Sequence, residues 1–303
     1  MPGPQATNTA LEAPIRRHQR TTTGVLTQKI VRRAVTYTGL GLLALLYVFP
    51  LLWVLASSLK GEQGYVLHPQ NLIPDSIHLT NYIRAWTDAK IGQYFGNSLI
   101  TTVTTTALTT LFSAMAAYVL GRFSFRGRNI IYVLFLAGLM LPVWLGYVPI
   151  FFLALDFHML NQLYGYIIIN VGWHLAFTIF FLTPFFASLP TELEEAAVID
   201  GAGPFEVFWK VMAPLAQPGL LTVAIFNMLG MWNEYDLALI LLQEPAVNTI
   251  PIGIAQLFVQ QGFRADYGAL FAGLVIVMLP SLILYAIFTD RLVEGITVGA
   301  LKG

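Results

Sequence analysis

Long uncharged apolar runs alternate with short polar segments along this chain. A bilayer core about 30 Å thick is crossed by about 20 apolar residues of helix. Five runs clearly reach that length, and a sixth resumes after Asp236. The pattern predicts six transmembrane helices, at residues 34–59, 94–120, 129–153, 163–188, 216–242 and 267–289. The uncharged segment 245–263 contains two prolines and several amides. It is predicted to be an outer loop or a short surface helix, and the sequence leaves open whether it enters the membrane.

Composition supports a lipid-facing surface. Charged residues make up 11% and hydrophobic residues 56% of the 303 residues, and the mean hydropathy is +0.69. Typical soluble proteins are about one quarter charged, so the predicted fold class is an all-α membrane protein. Basic and acidic residues each number 16, so charge balance indicates no nucleic-acid partner, and we expect none. The absence of cysteine excludes disulfides, thiolate metal sites and cysteine nucleophiles within the chain.

The distribution of basic residues predicts the orientation. Twelve of the 16 lysines and arginines fall on one side of the six predicted helices, and four fall on the other. Because cytoplasmic loops carry an excess of positive charge, both termini are expected in the cytoplasm. Residues 1–33 would form a cytoplasmic tail, disordered over roughly its first twenty residues, and residues 34–303 would form the six-span domain. The first apolar run is too long for the core of a cleaved signal peptide.

One predicted cytoplasmic loop, residues 190–214, is rich in acids although the chain as a whole is poor in charge. Its acids are Glu192, Glu194, Glu195, Asp200 and Glu206. Thr191 followed three positions later by Glu194 matches a capping box, which predicts a short helix over residues 192–200. Gly201 and Gly203 would then supply a turn.

A second short helix is predicted to begin at Pro204, because proline favours the first helical position, and to end at Pro214. Four apolar residues are spaced to share one face: Phe205, Phe208, Trp209 and Met212. Glu206 and Lys210 are spaced to pair on another face. The loop would therefore be a helical hairpin docked on the cytoplasmic surface. The alternative is an ordinary solvated connection, which leaves the capping residues, glycines and aromatic stripe unexplained.

The stretch EEAAVIDGAGPFEVFWKVMAP, residues 194–214, resembles the signature of the integral-membrane subunits of ATP-binding-cassette (ABC) importers. That signature is Glu-Ala-Ala, three residues, Gly, nine residues, Ile, one residue and Leu-Pro. The matching residues are Glu195, Ala196, Ala197, Gly201 and Pro214. Val211 and Ala213 depart from it, each by a small apolar change. The segments QPGL, NEYDLALILL and GITVGALKG are similar to the carbohydrate-uptake branch, of the maltose and glycerol-phosphate type.

The resemblance implies the transmembrane domain of a type I ABC importer, a permease that moves a sugar across the inner membrane of a prokaryote by alternating access. The sugar would be an oligosaccharide or a related polyol or derivative. The loop would be the coupling helix, which sits in a cleft of a separate ATPase subunit. The candidate ATPase-coupling residues are Glu192, Glu194, Glu195, Ala196, Ala197, Asp200 and Gly201. The closing TVGALKG would also reach the ATPase, unless it is a frayed terminus.

The resemblance also implies partners: two ATPase subunits, a second permease chain and an extracytoplasmic solute-binding protein. No G-x-x-x-x-G-K-[ST] phosphate loop occurs in the chain. ATP and Mg²⁺ are therefore expected on the partner ATPase. This chain is expected to be a transport subunit with no cofactor, metal or catalytic residue of its own.

Polar residues at membrane depth indicate where a solute would pass, because they are costly in lipid and usually face a cavity or a partner. The candidates for a substrate path are Asn170, Trp173, Asn227, Trp232, Asn233, Glu234, Tyr235 and Asp236. Aromatic faces beside amides and carboxylates suit the apolar faces and hydroxyls of a sugar. Other interpretations stay open: Trp232 as an interfacial residue, Glu234 as the partner of a neighbouring helix, and sugar contact by the second permease chain alone. His174 and the threonines of residues 97–110 are interpreted as packing residues.

Other function classes remain as alternatives. A permease for a non-sugar solute would carry the same coupling loop. A secondary transporter driven by an ion gradient would typically show repeated halves and a broken or charged helix at midplane, and the sequence shows no internal repeat. A membrane-embedded enzyme is a weaker alternative, because neither an H-E-x-x-H motif nor a nucleophile elbow occurs.

Overall fold

The structure, a computed structural model, describes residues 22–68, 70–260 and 266–300. Within these ranges the regular secondary structure is helical and contains no strand. The chain divides into two compact units, residues 1–53 and 54–303. The described part of the first unit, residues 22–53, belongs to one helix, and the second unit contains the last residues of that helix and all other elements. The disorder expected for the first twenty residues falls outside the described ranges.

The helices are α1 (Thr22–Ser58), α2 (Glu62–Leu67), α3 (Thr80–Thr87), α4 (Ile91–Arg122), α5 (Arg128–Met140), α6 (Tyr147–Asp156), α7 (Leu163–Ala187), α8 (Thr191–Ile199), α9 (Pro204–Glu206), α10 (Ala213–Leu215), α11 (Gln217–Trp232), α12 (Asp236–Leu241), α13 (Ile250–Gln260) and α14 (Tyr267–Ala300). A π-helix, Val207–Met212, joins α9 to α10. Four helices contain a stretch long and apolar enough to cross a membrane. The total rises to at most six if each of two bent pairs counts as one span, α5 with α6 and the helix Pro204–Leu215 with α11. The all-α fold class is confirmed, and the six predicted segments correspond in order to α1, α4, α5–α6, α7, α11–α12 and α14.

The third predicted segment is broken. A continuous helix over 129–153 is wrong, because α5 ends at Met140 and a 3₁₀ turn, Val143–Gly146, precedes α6. Pro142 lacks the N–H that a helix needs and pushes the residue before it towards extended backbone. Leu141 accordingly has φ −75° and ψ 129°.

The fifth predicted segment, 216–242, is also interrupted. α11 ends at Trp232 and α12 begins at Asp236. The side-chain amide of Asn233 donates to the carbonyl of Leu229 at 2.8 Å, so it competes with the backbone at the helix end. At its other end α11 meets the helix Pro204–Leu215 at an angle of 77°, which turns the chain from the loop into the span.

Both terminal helices extend beyond the predicted spans, although the apolar span Tyr267–Thr289 of α14 agrees with the prediction. α1 begins at Thr22 instead of residue 34, so the last twelve residues of the predicted tail are helical. α14 continues to Ala300, eleven residues beyond the predicted end. The predicted contact of the closing TVGALKG with an ATPase involves residues 301–303, which lie outside the described residues.

Segment 245–263 is largely helical and takes part in the core. After a 3₁₀ turn, Pro245–Val247, helix α13 buries Ile250, Ile252 and Leu257. α13 packs against α4 and α14, whereas Phe258 and Val259 are exposed. Of the two predicted alternatives, an outer loop or a short surface helix, the structure has the short helix, and one face of it is buried. Residues 261–263 of this segment are not among those described.

The centre of the second unit is the pair α4 and α7, which pack more extensively on each other than on any other helix. α4 contributes a series of buried small side chains, among them Thr101, Thr102, Thr105, Thr106, Thr109, Ser113, Ala114 and Ala117. Small side chains allow helices to approach closely. The interpretation of the threonine-rich stretch as a packing surface is confirmed.

Candidate coupling loop and transport path

The first loop helix begins one residue earlier than predicted. α8 spans Thr191–Ile199, with Pro190 at the N-cap position and no side chain capping it. The predicted capping box of Thr191 and Glu194 is therefore wrong. With Pro190 as the cap, the third helical residue is Leu193, so Glu194 is out of register for a box. Its carboxylate turns instead towards α4.

The predicted glycine turn after α8 is present. Gly201 has a φ of +88°, in the left-handed region that only glycine adopts without strain. Its N–H donates to the carbonyl of Val198, and the N–H of Ala202 donates to the carbonyl of Ala197, both at 3.0 Å. These bonds satisfy carbonyls at the helix end, so α8 ends in a defined turn.

The second loop helix begins at Pro204 as predicted but does not end at Pro214. It continues through the π-helix Val207–Met212 and α10, and it stops at the 77° bend before α11. Pro214 therefore lies inside the helical segment. The loop and the fifth span form one helical path with a sharp corner.

The apolar stripe predicted for this helix is correct only in part. Phe208 and Met212 are buried, whereas Phe205 and Trp209 are 73% and 53% exposed. Val207 is buried in their place. A π-helix bonds residues five apart, so the wide turn brings Val207 and Met212 onto the same face.

The predicted pair of Glu206 and Lys210 is present on the loop surface. The Lys210 ammonium donates to Glu206 Oε1 at 2.8 Å, and the side chains of Lys210 and Glu206 are 73% and 51% exposed. The N–H of Gly203 donates to Glu206 Oε2 at 3.3 Å. The pKa of Glu206 is lowered, chiefly by the hydrogen bond from Lys210 and then by that from Gly203.

A second ion pair joins the loop to α4 and is largely withdrawn from solvent. Arg122 Nε and Nη2 lie 2.7 and 2.6 Å from Oε2 of Glu194, and the two side chains are only 6% and 19% exposed. Tyr118 Oη donates to the other carboxylate oxygen at 2.8 Å. Arg122 Nη1 also donates to the carbonyl of Leu189 at 2.9 Å. The end of α4 thus holds both α8 and the turn before it.

Aromatic packing attaches the second loop helix to the same place. The ring of Tyr118 lies 5.3 Å from that of Phe208 in the π-helix and 5.8 Å from that of Phe186 in α7, measured between centroids. Val207, Phe208 and Met212 belong to a buried cluster with residues of α4, α7 and α11. Both halves of the loop are therefore fixed to the spans.

The other candidate coupling residues are distributed around the exposed side of the hairpin. Glu192, Glu195, Ala196, Asp200 and Gly201 are exposed, whereas Ala197 is half-buried and packs against the cluster beneath. Apolar side chains are exposed among them, with Val198 at 58% and Ile199 at 85%. The hairpin therefore presents acids, Ala196 and apolar side chains on a surface that no described residue covers.

The substrate-path candidates fall into two groups. In the first, Tyr166 Oη donates to Glu234, and the N–H groups of Leu237 and Ala238 donate to the same carboxylate at 2.7 and 3.0 Å. Glu234 therefore caps α12 and pairs with a tyrosine of α7, as one of the open interpretations holds. Beside it, Tyr147 Oη donates to Asp236 at 2.9 Å.

The second group lies along α7. Asn227 Nδ2 donates to Thr178 Oγ1 at 3.0 Å, which connects α11 to α7. Asn170 is fully buried and its Nδ2 donates to the carbonyl of Tyr166 at 2.9 Å. His174 Nδ1 lies 2.8 Å from the carbonyl of Asn170. Every one of these contacts links packed helices or successive helical turns.

The remaining candidates are dispersed. Trp232 is buried, and its indole N–H donates to the carbonyl of Val277 at 3.2 Å. Trp173 is half-buried and packs against Gly146 in the turn before α6. Asn233 and Tyr235 are exposed in the break between α11 and α12. The structure thus brings Glu234 and Asp236 together but places Trp232 in the core.

Sequence reasoning missed four residues of these sites: Tyr118, Arg122, Tyr147 and Tyr166. The position of Arg122 could have indicated its role, because it is a cation at the end of an apolar run and the chain contains an acid-rich loop on the same predicted side. From the sequence alone, Arg122 contributes only to the predicted orientation of the chain in the membrane. The tyrosines are ordinary members of apolar segments. Their roles depend on which carboxylate the fold brings to each hydroxyl.

Several helices long and apolar enough to cross a membrane, with a helical hairpin packed on α4, α7 and α11, define an integral-membrane transport subunit. Residues 110–298 match the family described as the inner membrane component of binding-protein-dependent transport systems. The chain belongs to this family of ABC importer permeases. It is a multi-pass membrane protein. It is a transport subunit and not an enzyme.

Known permease proteins match most of the chain. The diacetylchitobiose uptake system permease protein NgcG of Streptomyces coelicolor is 43% identical over 89% of this chain and 89% of its own length. The sulfoquinovosyl glycerol transport system permease protein SmoH of Agrobacterium fabrum is 36% identical over 84% of this chain and 89% of its own.

A solved structure shares the fold. The match is a bacterial ABC transporter involved in the import of the acidic polysaccharide alginate, with a TM-score of 0.75 and 23% identity. It covers 87% of this chain and 97% of the matched chain. The fold is therefore that of an ABC importer transmembrane subunit.

Proposed function

We propose that this chain is one permease subunit of an ABC importer that moves a sugar by alternating access. The observation that carries the proposal is the hairpin of residues 190–214. Its inner side is fixed by a partly buried ion pair and aromatic packing, whereas its outer side exposes acids, Ala196 and apolar side chains. A helix that is rigid at its base and exposed on its outer side is suited to dock in a cleft of a soluble partner.

The partner that fits this role is an ATPase subunit. The chain has no phosphate loop, so two ATPase subunits would bind ATP and Mg²⁺ and move the hairpin. Glu192, Glu195, Ala196, Asp200 and Gly201 would contact the ATPase, whereas Glu194 and Ala197 would hold the helix from below. A second permease chain and an extracytoplasmic binding protein would complete the assembly. In this arrangement the hairpin and both termini lie in the cytoplasm.

Alternating access requires that ATP favours one conformation. A ligand shifts an equilibrium only by its differential affinity for the two states. ATP-driven closure of the ATPase pair would carry the hairpins together and open the cavity outward. Hydrolysis and release of products would restore the inward-facing state.

We propose a sugar, as an oligosaccharide or a related derivative, for two reasons. The relatives carry names that refer to diacetylchitobiose and sulfoquinovosyl glycerol. In addition, Tyr147 and Asp236 form a partly exposed pair of an aromatic ring and a carboxylate, a combination that suits the apolar faces and hydroxyls of a sugar.

The class of transporter is tested with reconstituted vesicles that contain the whole complex and a trapped ATP supply. We expect uptake of a labelled oligosaccharide that needs ATP and persists when an ionophore removes ion gradients. Uptake that follows the gradient without ATP would refute the proposal in favour of a secondary transporter. A panel that includes amino acids and ions tests the solute, and ATP-dependent uptake restricted to non-sugars would refute only the sugar assignment.

The coupling role is tested by Ala196→Arg, which adds bulk and charge to the exposed side of α8. We expect the complex to assemble and hydrolyse ATP while transport is lost. Lys210→Gln, on the same loop but outside the proposed contact, is the control and is expected to transport normally. Normal uptake by the Ala196 variant would contradict the proposal.

A further inference from the structure

The end of α4 contacts the hairpin through one guanidinium group. Arg122 Nε donates to Oε2 of Glu194 at 2.7 Å and Nη1 donates to the carbonyl of Leu189 at 2.9 Å, while Nη2 makes only a charge contact with the same carboxylate oxygen, at 2.6 Å. The planar fork of arginine makes several directed bonds at once, which the single ammonium of lysine does not reproduce. Arg122 thus fixes the position of α8 and of the turn that leads into it.

This contact is the polar connection between α8 and the spans. Among the described residues, the side-chain hydrogen bonds from α8 to a spanning helix both end on Glu194, one from Tyr118 and one from Arg122. No residue of α8 is fully buried. The apolar packing beneath the loop involves the π-helix more than α8, so Glu194 sets how firmly α8 follows α4.

The end of α4 is itself locked to α7. Gly121 has no room for a side chain, because a Cβ atom there would lie 2.9 Å from the carbonyl oxygen of Thr183 and 3.2 Å from the backbone nitrogen of Ala187. Two helices in such close backbone contact move together. A displacement of α8 that reaches Arg122 is therefore passed to both central helices of the fold.

We infer that the Arg122–Glu194 ion pair is the link that transmits movement of the coupling helix into α4 and α7, so Arg122 is a positioning residue for transport. The inference rests on the proposed function of the hairpin. It assigns to Glu194 a task on the inner side of the loop, distinct from ATPase contact by the exposed acids. Its low exposure protects the pair from competition by water and salt.

The exposed pair on the same loop provides a matched control. Glu206 and Lys210 make an ion pair of similar length, 2.8 Å, but both side chains are more than half exposed. They lie four residues apart on one helix, so their contact joins no two elements. Loss of the Glu206–Lys210 pair removes an ion pair between a carboxylate and a cation, but it removes no contact between the loop and a spanning helix.

The test compares Arg122→Gln, Arg122→Lys and Lys210→Gln in the complete reconstituted complex with its ATPase and binding protein. The measured quantity is the amount of solute transported per ATP hydrolysed. A purely structural role changes the yield of complex but not this ratio. We expect Arg122→Gln to lower the ratio about fivefold or more, Arg122→Lys to give an intermediate value, and Lys210→Gln to keep the wild-type value.

An unchanged ratio in assembled Arg122→Gln complex would overturn the inference. If that variant does not assemble, Arg122→Lys decides, and a wild-type ratio there would overturn it equally. Failure of both variants to assemble would assign the pair to folding and also overturn it. A wild-type complex that moves solute without ATP refutes the proposed function itself, whereas a coupled wild type with equally coupled variants refutes the inference alone.

Discussion

Two carboxylates at opposite ends of α7 are held in different ways. Glu194 lies beyond the last turn of α7 and accepts from Tyr118 and Arg122, which belong to another helix. Glu234 lies near the first turn of α7 and accepts from Tyr166 and from two N–H groups of the short helix that follows it, α12. Each carboxylate thus has a tyrosine partner, but only Glu194 also pairs with a cation among the residues that the structure describes.

The difference shows how partner choice gives similar side chains different tasks. Backbone N–H groups at a helix start satisfy an acid locally, so Glu234 stabilises the break between α11 and α12. A buried guanidinium connects elements far apart in sequence, and its loss leaves an uncompensated charge. Glu194 therefore serves as an attachment between elements, whereas Glu234 shapes one element.

The largest effect is expected when Arg122 is replaced by Met. The unpaired carboxylate of Glu194 would remain in a poorly solvated site, which costs about 3 kcal/mol of unfolding free energy. Equilibrium unfolding of the purified permease in mixed micelles measures the change. The double variant Arg122→Met with Glu194→Leu is expected to be more stable than the single variant, because no charge is left unpaired. A double variant that is less stable than the single one would show that the charge is not the cause.

A smaller effect is expected from Glu234→Ala. The change removes the cap of α12 and leaves the hydroxyl of Tyr166 without its acceptor, which together cost about 2 kcal/mol. The same unfolding measurement applies. Glu234→Gln keeps an acceptor oxygen, so it is expected to recover part of the loss. Equal losses for the Ala and Gln variants would contradict the capping role.

Removal of either tyrosine hydroxyl is expected to lower the free energy of unfolding by about 1 kcal/mol. Tyr118→Phe and Tyr166→Phe remove one hydroxyl from Glu194 and Glu234, respectively, and keep the ring packing. We expect the larger loss for Tyr166, because Arg122 still holds the charge of Glu194 when Tyr118 is changed. Unfolding midpoints of the two variants, measured side by side, give the order. The reverse order would mean that the arginine depends on Tyr118 for its geometry.

No measurable change in stability is expected from Lys210→Gln. Exposed ion pairs gain little, because water and salt screen them. The pKa of Glu206 should rise towards its ordinary value, since its largest lowering contact is lost. The unfolding midpoint of this variant is the measurement. A shift comparable to that of the Arg122 variant would show that the exposed ion pair stabilises the protein as much as the Arg122–Glu194 pair, which would contradict the comparison.

The sequence predicts the spans well because burial in lipid depends on composition alone. Every predicted apolar segment contains a helix, and the threonine-rich part of α4 is buried as interpreted. Breaks within the apolar segments are not predicted by composition. The break at Pro142 follows from its missing N–H, but hydropathy continues across it, and the wide turn after Glu206 has no signal in composition.

Contacts between distant residues explain most of the remaining differences. Glu194 was expected to cap its own helix, yet its partner Arg122 lies 72 positions earlier. The buried face of α13 is equally invisible to local pattern, because its amides and prolines suggest a loop until α4 and α14 cover it. The hairpin was therefore located correctly in the chain, whereas the contacts that attach it required the fold.

The 77° corner between the loop helix and α11 has a mechanical consequence. When two stiff helices are joined near a right angle, a force along the axis of one acts on the other perpendicular to its axis. Force along the loop helix would thus swing the foot of the fifth span laterally and hardly slide it along its own axis. A lateral swing changes the tilt of the span, and a change of tilt is a motion that a bilayer accommodates at modest cost.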